Sequence, residues 1–333
     1  MAKLLEIKAK IIQIFEKNES YVLPIIRFIL ALIVFTMINS KLGYMQRIDN
    51  VFVVLILAVI CSVLPLNATV VMSALLVLLH LYSLSVEVCA VALLLMMLTF
   101  FLYFRFAPSS GYQTMAMPIL FQLKTPYFMP IKCGLTGTPY SVLSVLCGTI
   151  LYYFLKGVIS NEKIFMSSTS VGGTSKFIVA INQIYSDKEL FVVLAAFLLT
   201  SVIVFLIRRM SIDHSWSIAI CVGLAVQFLV ILVGKFMYGS VKDVVWVIFG
   251  MIISTVVAFG IEFFMFHLDY TRTERVQFED DTYYYYVKAV PKALVQSKDK
   301  KITRINRRGD EKEERLTKDS IAEELEINRD LLN

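Results

Sequence analysis

The chain has 333 residues, of which 58% are hydrophobic and 17% charged, with a net charge of +6 and a mean hydropathy of +0.72. Soluble domains are roughly 45–50% apolar and about 25% charged, so this composition excludes an ordinary soluble globular protein. Charged residues are sparse between residues 21 and 267 and frequent after Asp269. The sequence therefore predicts a polytopic membrane region followed by a polar tail.

The N-terminal 20 residues carry seven charges and no apolar core, which argues against a signal peptide. Their apolar residues, among them Leu4, Ile7 and Ile11, form a broad helical stripe with lysines mainly opposite. This pattern predicts that residues 1–20 form an amphipathic helix in the membrane interface. A solvated helix packed on the tail is the alternative.

Eight apolar stretches between residues 21 and 269 are predicted to cross the membrane, which makes the fold class an all-α polytopic integral membrane protein. A transmembrane β-barrel would instead show short segments of alternating hydrophobicity. The second stretch is short, about 22 Å long as a helix. The predicted spans are 21–39, 51–65, 68–86, 88–104, 138–156, 189–207, 215–235 and 244–266.

Basic residues near the span ends predict the orientation, because cytoplasmic loops carry an excess of lysine and arginine. The basic groups beside the first, sixth and eighth spans fall on one side only if the number of spans is even. Both termini are therefore predicted to be cytoplasmic, and we expect the membrane to be the bacterial inner (plasma) membrane. The groups are Lys3, Lys8, Lys10 and Lys17, then Arg208 and Arg209, then Arg272 and Arg275.

The segment PILFQLKTPYFMPIKCGLTGTP (118–139) breaks the apolar pattern, with four prolines, two lysines and two glycines in 22 residues. Proline removes a backbone donor and clashes with the preceding turn, and glycine allows conformations that other residues avoid. The segment is therefore predicted to form two short helices with a break between them, entering the membrane and returning, or to lie along the interface. The residues of interest are Lys124, Pro126, Pro130, Lys132, Gly134 and Gly137.

A broken helix exposes backbone polar groups, which membrane proteins keep only where protein or a watery cavity surrounds them. In secondary transporters such breaks mark the binding site. Lys124 and Lys132 would then suit an anionic ligand or a lipid headgroup. The alternative is a structural elbow whose lysines extend to the headgroups.

Two charged residues are predicted within the spans. Arg27 lies about 9 Å along the first span and is expected to pair, to extend toward the cytoplasm or to line a cavity. Glu262 lies about one turn from the cytoplasmic end of the eighth span and is its candidate partner. The histidines and cysteines show no HExxH or CxxC spacing, so neither a metal site nor a cofactor is predicted.

Spans 215–235 and 244–266 carry small residues at four-residue spacing, which lets helices approach closely. Packing within the chain is the default interpretation, and a homodimer face is the alternative. The strips are Ser217, Cys221 and Ala225; Ala219 and Gly223; and Gly250, Ser254 and Ala258.

Residues 270–296 are predicted to form a cytoplasmic β-hairpin-like segment, because β-forming residues at 276–279 and 283–290 flank a polar turn. Four consecutive tyrosines, Tyr283, Tyr284, Tyr285 and Tyr286, would place two on each face of a strand. One pair is expected to pack on the membrane domain while the other faces water or a protein partner.

Residues 297–333 are predicted to form a basic linker and a C-terminal amphipathic helix. The basic cluster lies on the predicted cytoplasmic side, where such clusters attract anionic lipid. A solvated linker is the alternative, and no nucleic acid is expected. The residues expected to contact lipid are Lys300, Lys301, Arg304, Arg307 and Arg308.

These features lead to two functional hypotheses. The first is a membrane-embedded scaffold, assembly or regulatory protein whose cytoplasmic tail binds a partner. The second is a transporter, permease or channel component in which the 118–139 segment lines the substrate path. An enzyme is not predicted, because the sequence offers no metal-binding constellation, no paired intramembrane aspartates and no nucleophile–base motif.

Overall fold

The computed structural model is predominantly helical and describes residues 2–166, 173–210, 212–238, 244–265, 274–280 and 282–289. The chain divides into two compact units, residues 7–293 and a second unit of residues 1–6 with 294–333. Nearly all described residues belong to the first unit. The predicted basic linker and C-terminal helix of residues 297–333 lie outside the described residues.

The described ranges hold thirteen α-helices, two 3₁₀-helices at Pro108–Ser110 and Pro139–Ser141, and two β-strands. The helices are α1 (Ala2–Lys17), α2 (Glu19–Leu42), α3 (Val51–Val63), α4 (Leu66–Leu84), α5 (Val86–Phe106), α6 (Gly111–Gln122), α7 (Phe128–Thr136), α8 (Val142–Ser160), α9 (Glu162–Met166), α10 (Gly173–Ser186), α11 (Lys188–Arg208), α12 (Ser215–Met237) and α13 (Val244–Met265). The strands are β1 (Glu274–Glu279) and β2 (Tyr284–Ala289).

Seven of these helices are long and apolar enough to cross a membrane, namely α2, α4, α5, α8 with its preceding 3₁₀ turn, α11, α12 and α13. This result is consistent with the all-α membrane protein that the sequence predicts. Helix α3 has 13 residues, fewer than the roughly 17–25 of an ordinary transmembrane helix. An eighth crossing by α3 remains a prediction.

Local sequence signals explain where several helices begin and end. The Asn50 side chain accepts a hydrogen bond from the Phe52 N–H at 3.1 Å and caps the start of α3. The Asp187 carboxylate does the same for the Glu189 N–H at 3.1 Å, at the start of α11. Asparagine and aspartate are favoured there because their side chains satisfy N–H groups that have no partner within the helix.

The 118–139 segment contains the predicted break, but the first of the two short helices begins at Gly111, before the segment, and includes Pro118. Helix α6 ends at Gln122, and α7 begins at Phe128. Lys124, in the break, has a φ of +58°, in the left-handed region that ends a helix. Pro130 is tolerated in α7 because it lies in the first turn, where its missing N–H would have had no helical partner.

The open end of the α6–α7 pair lies at the start of α8 and the end of α11. Thr114 donates a hydrogen bond to the Ser144 carbonyl at 3.0 Å. Arg208, the last residue of α11, donates to the carbonyls of Leu135 and Gly137 at the end of α7. The start of α6 and the end of α7 therefore lie at the same end of the helix bundle.

The break between α6 and α7 lies at the opposite end of the bundle. Phe121, next to the last residue of α6, stacks on Tyr152 in the middle of α8, with ring centroids 4.3 Å apart. Lys124 lies over the ring of Trp246, near the start of α13. The segment thus runs into the bundle and back as a helical hairpin, whose break is called the tip below.

Two glycines allow this hairpin to pack closely. A Cβ at Gly134 would lie 2.6 Å from the Val204 Cβ of α11, and a Cβ at Gly250 of α13 would lie 2.1 Å from the Lys124 carbonyl oxygen. Both distances are shorter than real Cβ contacts, so a larger residue would push α7 or the tip away from its neighbour.

Buried apolar side chains form clusters that join α2–α5 to α8 and α10, and α7 to α11–α13. Helix α1 is connected to the end of α13, because Lys8 donates to the Phe263 carbonyl at 2.6 Å. Its apolar residues Ile7, Ile11 and Ile14 are exposed, and their insertion into the membrane interface remains a prediction.

The two strands of the tail form an antiparallel hairpin in which Gln277 lies opposite Tyr286. The rings of Tyr283 and Tyr285 meet edge to face at 6.3 Å. All four consecutive tyrosines are exposed. The packing of one pair on the membrane domain remains a prediction.

Candidate functional site

A cavity of about 240 Å³ lies at the tip of the α6–α7 hairpin, among the ends of α8, α11, α12 and α13, and is called the tip cavity. Aromatic side chains form much of its wall. Its described charged residues are three lysines and one glutamate, namely Lys124, Lys156, Lys235 and Glu189. The aromatic residues are Phe121, Tyr127, Tyr152, Tyr153, Tyr238 and Trp246.

The carboxylate of Glu189 is shared by two of these lysines. The Lys235 Nζ lies 2.8 Å from Glu189 Oε1, and the Lys156 Nζ lies 3.5 Å from Oε2. The Lys235 side chain is only 7% exposed, and a charge buried to that degree needs a partner. Glu189 supplies that partner from the first turn of α11.

The third lysine is positioned by an aromatic ring instead of a carboxylate. The Lys124 Nζ lies 3.5 Å from the ring centroid of Trp246, a cation–π contact. The described lining therefore has two more positive than negative charges, since Glu189 balances only one lysine. A small, partly enclosed site of this kind attracts an anionic group, and the aromatic walls provide apolar contact around it.

Three fully buried polar side chains lie deeper in the bundle, on the helices whose ends surround the tip cavity. Thr200 of α11, Gln227 of α12 and Ser254 of α13 are each 0% exposed. Their side-chain hydroxyl and amide atoms have no hydrogen-bond partner among the described residues. Each lies about 15–18 Å along its helix from the end nearest the cavity, so the three share one depth, and they are called the polar layer.

The structure separates the two lysines that the sequence placed together. Lys124 and Pro126 line the tip cavity. Lys132 lies on α7, where its Nζ contacts the Tyr112 hydroxyl and is 4.3 Å from that ring's centroid. Of the predicted residues in this segment, therefore, only Lys124 and Pro126 belong to the site.

The remaining predicted residues of the segment shape the path of α7. Pro130 lies in its first turn, Gly134 faces α11, and Gly137 follows its last residue. The Gly137 carbonyl accepts a hydrogen bond from Arg208 at 3.3 Å. These residues position the hairpin and lie away from the cavity wall.

The expected pairing of Arg27 with Glu262 is wrong, because each has a different partner. Arg27 donates to the Leu64 carbonyl at the end of α3, at 3.3 Å. Glu262 accepts a hydrogen bond from the Ser217 hydroxyl at 2.6 Å, which joins α13 to α12. Neither residue lines the tip cavity.

The small residues of α12 and α13 pack mostly within the chain, as the default interpretation held. Ala219, Gly223, Gly250, Ser254 and Ala258 are all buried. Cys221 and Ala225, which form a strip with Ser217, are exposed. A homodimer through that strip remains a prediction.

Sequence reasoning missed Lys156, Glu189 and Lys235. Each lies near a helix end, where a charged residue ordinarily marks the boundary of a span. The sequence offered one signal. A charged residue stands at the end of the fifth span, at the start of the sixth and at the end of the seventh, and the predicted orientation places all three on the same side of the membrane. Their convergence depends on helix packing, which the sequence alone does not provide.

The predicted lipid-contacting residues of the tail lie outside the described residues. Within the described ranges, no group of three or more His, Cys, Asp or Glu side chains is placed to hold a metal ion. No family model, curated protein or solved structure matches this chain. The helices and the tip cavity therefore provide the grounds for a functional proposal.

Proposed function

We propose that this protein is a transporter or permease component that binds an anionic substrate in the tip cavity. The observation that carries the proposal is the convergence of Lys124, Lys156 and Lys235 with a single carboxylate at the tip of a broken helical pair. Discontinuous helices at a binding site are a recurring feature of transporters. The tip of the hairpin is part of the wall that a substrate would contact.

The charge of the cavity favours an anion over a cation or a neutral molecule. Glu189 is already engaged by Lys235 and Lys156, so little negative charge remains to attract a cation. Lys124 is exposed and held by an aromatic face, which leaves its ammonium hydrogens available to a ligand. An anionic group bound there would complete the neutralisation of the cluster.

The polar layer supports a path that continues beyond the cavity. An unsatisfied buried polar group costs roughly 1–3 kcal/mol, so three at one depth need an explanation such as water or a ligand. Thr200, Gln227 and Ser254 lie on three of the helices that border the cavity. We infer that they contact water or substrate in the course of transport.

The membrane arrangement is part of the same proposal. Eight crossings, counting the short α3, would place both termini in the cytoplasm and the tip cavity toward the opposite side. The contact between Lys8 and the Phe263 carbonyl agrees with this arrangement, because it joins α1 to the C-terminal end of α13. We propose the bacterial inner membrane as the location.

Cysteine accessibility tests the proposal without knowledge of the substrate. In a variant lacking the five native cysteines, single cysteines replace Thr125 at the tip, Gln227 in the polar layer and Tyr140 at the open end. Membrane-impermeant thiol reagents, one anionic and one cationic, are applied from each side. We expect Thr125→Cys to react from the side opposite the termini, and faster with the anionic reagent.

The matched control is Thr125→Cys combined with Lys124→Gln, in which the preference for the anionic reagent should decrease. We expect Gln227→Cys to react through the cavity, and Tyr140→Cys to react only from the cytoplasmic side. Reaction of the tip from the cytoplasmic side alone, with no charge preference, would show that the hairpin is a structural elbow.

A scaffold or regulatory protein is the second candidate function. The specific observation in its favour is the exposure of Tyr283, Tyr284 and Tyr286, at 64%, 62% and 80%. Exposed aromatic clusters are enriched at protein interfaces. Co-purification of a partner that is lost in a variant with serines at these three positions would support this candidate, whereas cysteine reactivity at the tip would be unaffected.

A further inference from the structure

A second, larger cavity lies beside the tip cavity. Its volume is about 670 Å³, and it is bounded by α2, α4, α5, α6 and α8. This volume lies in the range of roughly 300–1,000 Å³ that is typical of small-molecule sites. It extends along α6 from Thr114 to Gln122, and it is called the apolar cavity.

The wall of the apolar cavity offers almost no polar atoms to a ligand. Two of its hydroxyl-bearing residues donate to backbone carbonyls, Ser73 to Val70 at 2.7 Å and Thr99 to Met96 at 2.9 Å. The Thr114 hydroxyl is likewise engaged by the Ser144 carbonyl. Its longer polar side chains, Lys41, Gln122 and Lys156, lie near the ends of their helices. An occupant of this cavity should therefore be a hydrocarbon.

The two cavities adjoin at Tyr152 and Lys156, which line both. The Tyr152 ring lies nearly parallel to that of Phe121, with an interplanar angle of 5°. This aromatic pair forms the boundary between a charged compartment and an apolar one. The Lys156 ammonium lies 3.5 Å from Glu189 on the charged side of that boundary.

The apolar cavity differs from the ordinary lipid-facing surface of a membrane protein. Ser73, Thr99 and Met115 line it, although each is at least 92% shielded by the rest of the chain. Leu94 of α5, in contrast, is 65% exposed and does not line the cavity. Other lining residues, Val71, Leu75, Leu93 and Met97, are 42–49% exposed, so the cavity is open on one side toward the surrounding membrane. A chain that entered from that side and reached Met115 would be in contact with shielded residues of the protein.

We propose that the anionic ligand of the tip cavity is a lipid, with its headgroup phosphate at Lys124, Lys156 and Lys235 and a hydrocarbon chain in the apolar cavity. This inference rests on the proposed function, because it names the substrate class of the same site. A free phosphate ion shares the headgroup chemistry but would leave the apolar cavity without an occupant.

Photocrosslinking of the full-length protein in lipid nanodiscs tests the proposal. The probe is phosphatidylglycerol with a diazirine in one acyl chain, and phosphatidylcholine with the same chain is the comparison lipid. Adducts are mapped by peptide mass spectrometry. We expect the phosphatidylglycerol probe to label the peptide that contains Met115, whereas both probes label the exposed Leu94 equally.

Two variants separate the headgroup site from the chain site. Lys124→Gln should lower the yield of the Met115 adduct about fivefold, because each lysine near an anionic lipid contributes about 1 kcal/mol to binding. Ala74→Phe fills the apolar cavity, which Ala74 lines, and should abolish the Met115 adduct. Ala90→Phe is the matched control, because Ala90 is exposed on α5 and lines neither described cavity, and should leave the adduct unchanged.

Equal labelling of Met115 by both lipids would overturn the lipid inference. The inference also fails if the anionic thiol reagent is preferred at Thr125→Cys and inorganic phosphate slows its reaction, while no phosphatidylglycerol adduct forms. In that case the proposed anion site stands and its ligand is soluble. Absence of both the charge preference and the adduct would refute the proposed function itself.

Discussion

Helices α2–α5 and helices α11–α13 each contain a large polar side chain that is fully buried, and the two side chains differ in their hydrogen bonding. In α2–α5 this is His80, whose Nε2 lies 3.0 Å from Asn39 Oδ1 and whose Nδ1 accepts from the Met45 N–H at 3.3 Å. In α11–α13 it is Gln227, whose amide has no partner among the described residues. His80 stabilises the connection of α2 to α3 through these hydrogen bonds, whereas the Gln227 amide makes no hydrogen bond to a described residue.

The difference extends to the two cavities. The cavity beside α2–α5 is lined mainly by apolar side chains, with Lys41, Gln122 and Lys156 near the helix ends. The cavity at the ends of α11–α13 carries three lysines and Glu189. Unpartnered buried polar groups are not confined to α11–α13, because the hydroxyls of Thr69 in α4 and Ser144 in α8 also have no hydrogen-bond partner among the described residues. What distinguishes the part to which a function is assigned is the group of charged side chains at the tip cavity.

Removal of the Glu189 carboxylate should have the largest effect on stability. Glu189→Gln leaves Lys235, only 7% exposed, without a carboxylate at 2.8 Å, and breaking a buried pair on one side costs about 3–5 kcal/mol. Thermal unfolding of the purified protein in detergent measures the loss. The double variant Glu189→Gln with Lys235→Met should recover most of it. An unchanged unfolding temperature in the single variant would show that the pair is not buried.

Disturbing the close contact between α13 and the hairpin tip should have the next largest effect on stability. Gly250→Ala places a Cβ 2.1 Å from the Lys124 carbonyl oxygen, and overpacking of this kind costs about 1–3 kcal/mol. Gly260→Ala on the same helix is the matched control, because nothing lies within 4 Å of its Cβ. That variant should be neutral or stabilised by up to about 1 kcal/mol. Equal unfolding temperatures for the two variants would contradict the described position of the tip.

The contrast between His80 and Gln227 can be measured directly. His80→Leu leaves the Asn39 carbonyl oxygen and the Met45 N–H without their partner, and should destabilise by roughly 1–3 kcal/mol. Gln227→Leu removes an amide that has no described partner, so stability should be unchanged or higher. Both variants are compared with the parent by thermal unfolding. A larger loss for Gln227→Leu than for His80→Leu would remove the basis for the comparison.

Prediction from the sequence succeeded where the signal was local. Long apolar runs are consistent with the membrane helices that the structure describes, and the density of proline and glycine at 118–139 predicted two short helices. It failed where side chains meet through packing. Lys124 and Lys132 are eight residues apart in sequence, yet α7 carries Lys132 away from the tip.

The site residues that the sequence did not predict illustrate the same limit. Lys156, Glu189 and Lys235 come from three different helices, so no spacing in the sequence relates them. The erroneous Arg27–Glu262 pair arose because two charges at similar predicted depth look complementary. Their partners, the Leu64 carbonyl and the Ser217 hydroxyl, are not visible from charge alone.

The smallest predicted effect concerns two arginines that each bind carbonyls at the end of a helix. Arg208 is half-buried and donates to Leu135 and Gly137 at the end of α7. Arg27 makes a single bond, at 3.3 Å, to the Leu64 carbonyl at the end of α3. Because each hydrogen bond from a charged group contributes about 1.5–3 kcal/mol, and Arg208 makes two such bonds where Arg27 makes one, Arg208→Gln should destabilise more than Arg27→Gln.

Thermal unfolding of both variants, with Arg209→Gln as the control, measures this order. The second readout is accessibility of Tyr140→Cys, which should increase with Arg208→Gln because the end of α7 is released, and should not change with Arg27→Gln. If Arg208→Gln changed neither the stability nor the accessibility of Tyr140→Cys, the hairpin would be held mainly by its tip. In that case the charged cavity, and not the contact with Arg208, would determine whether α7 stays in place.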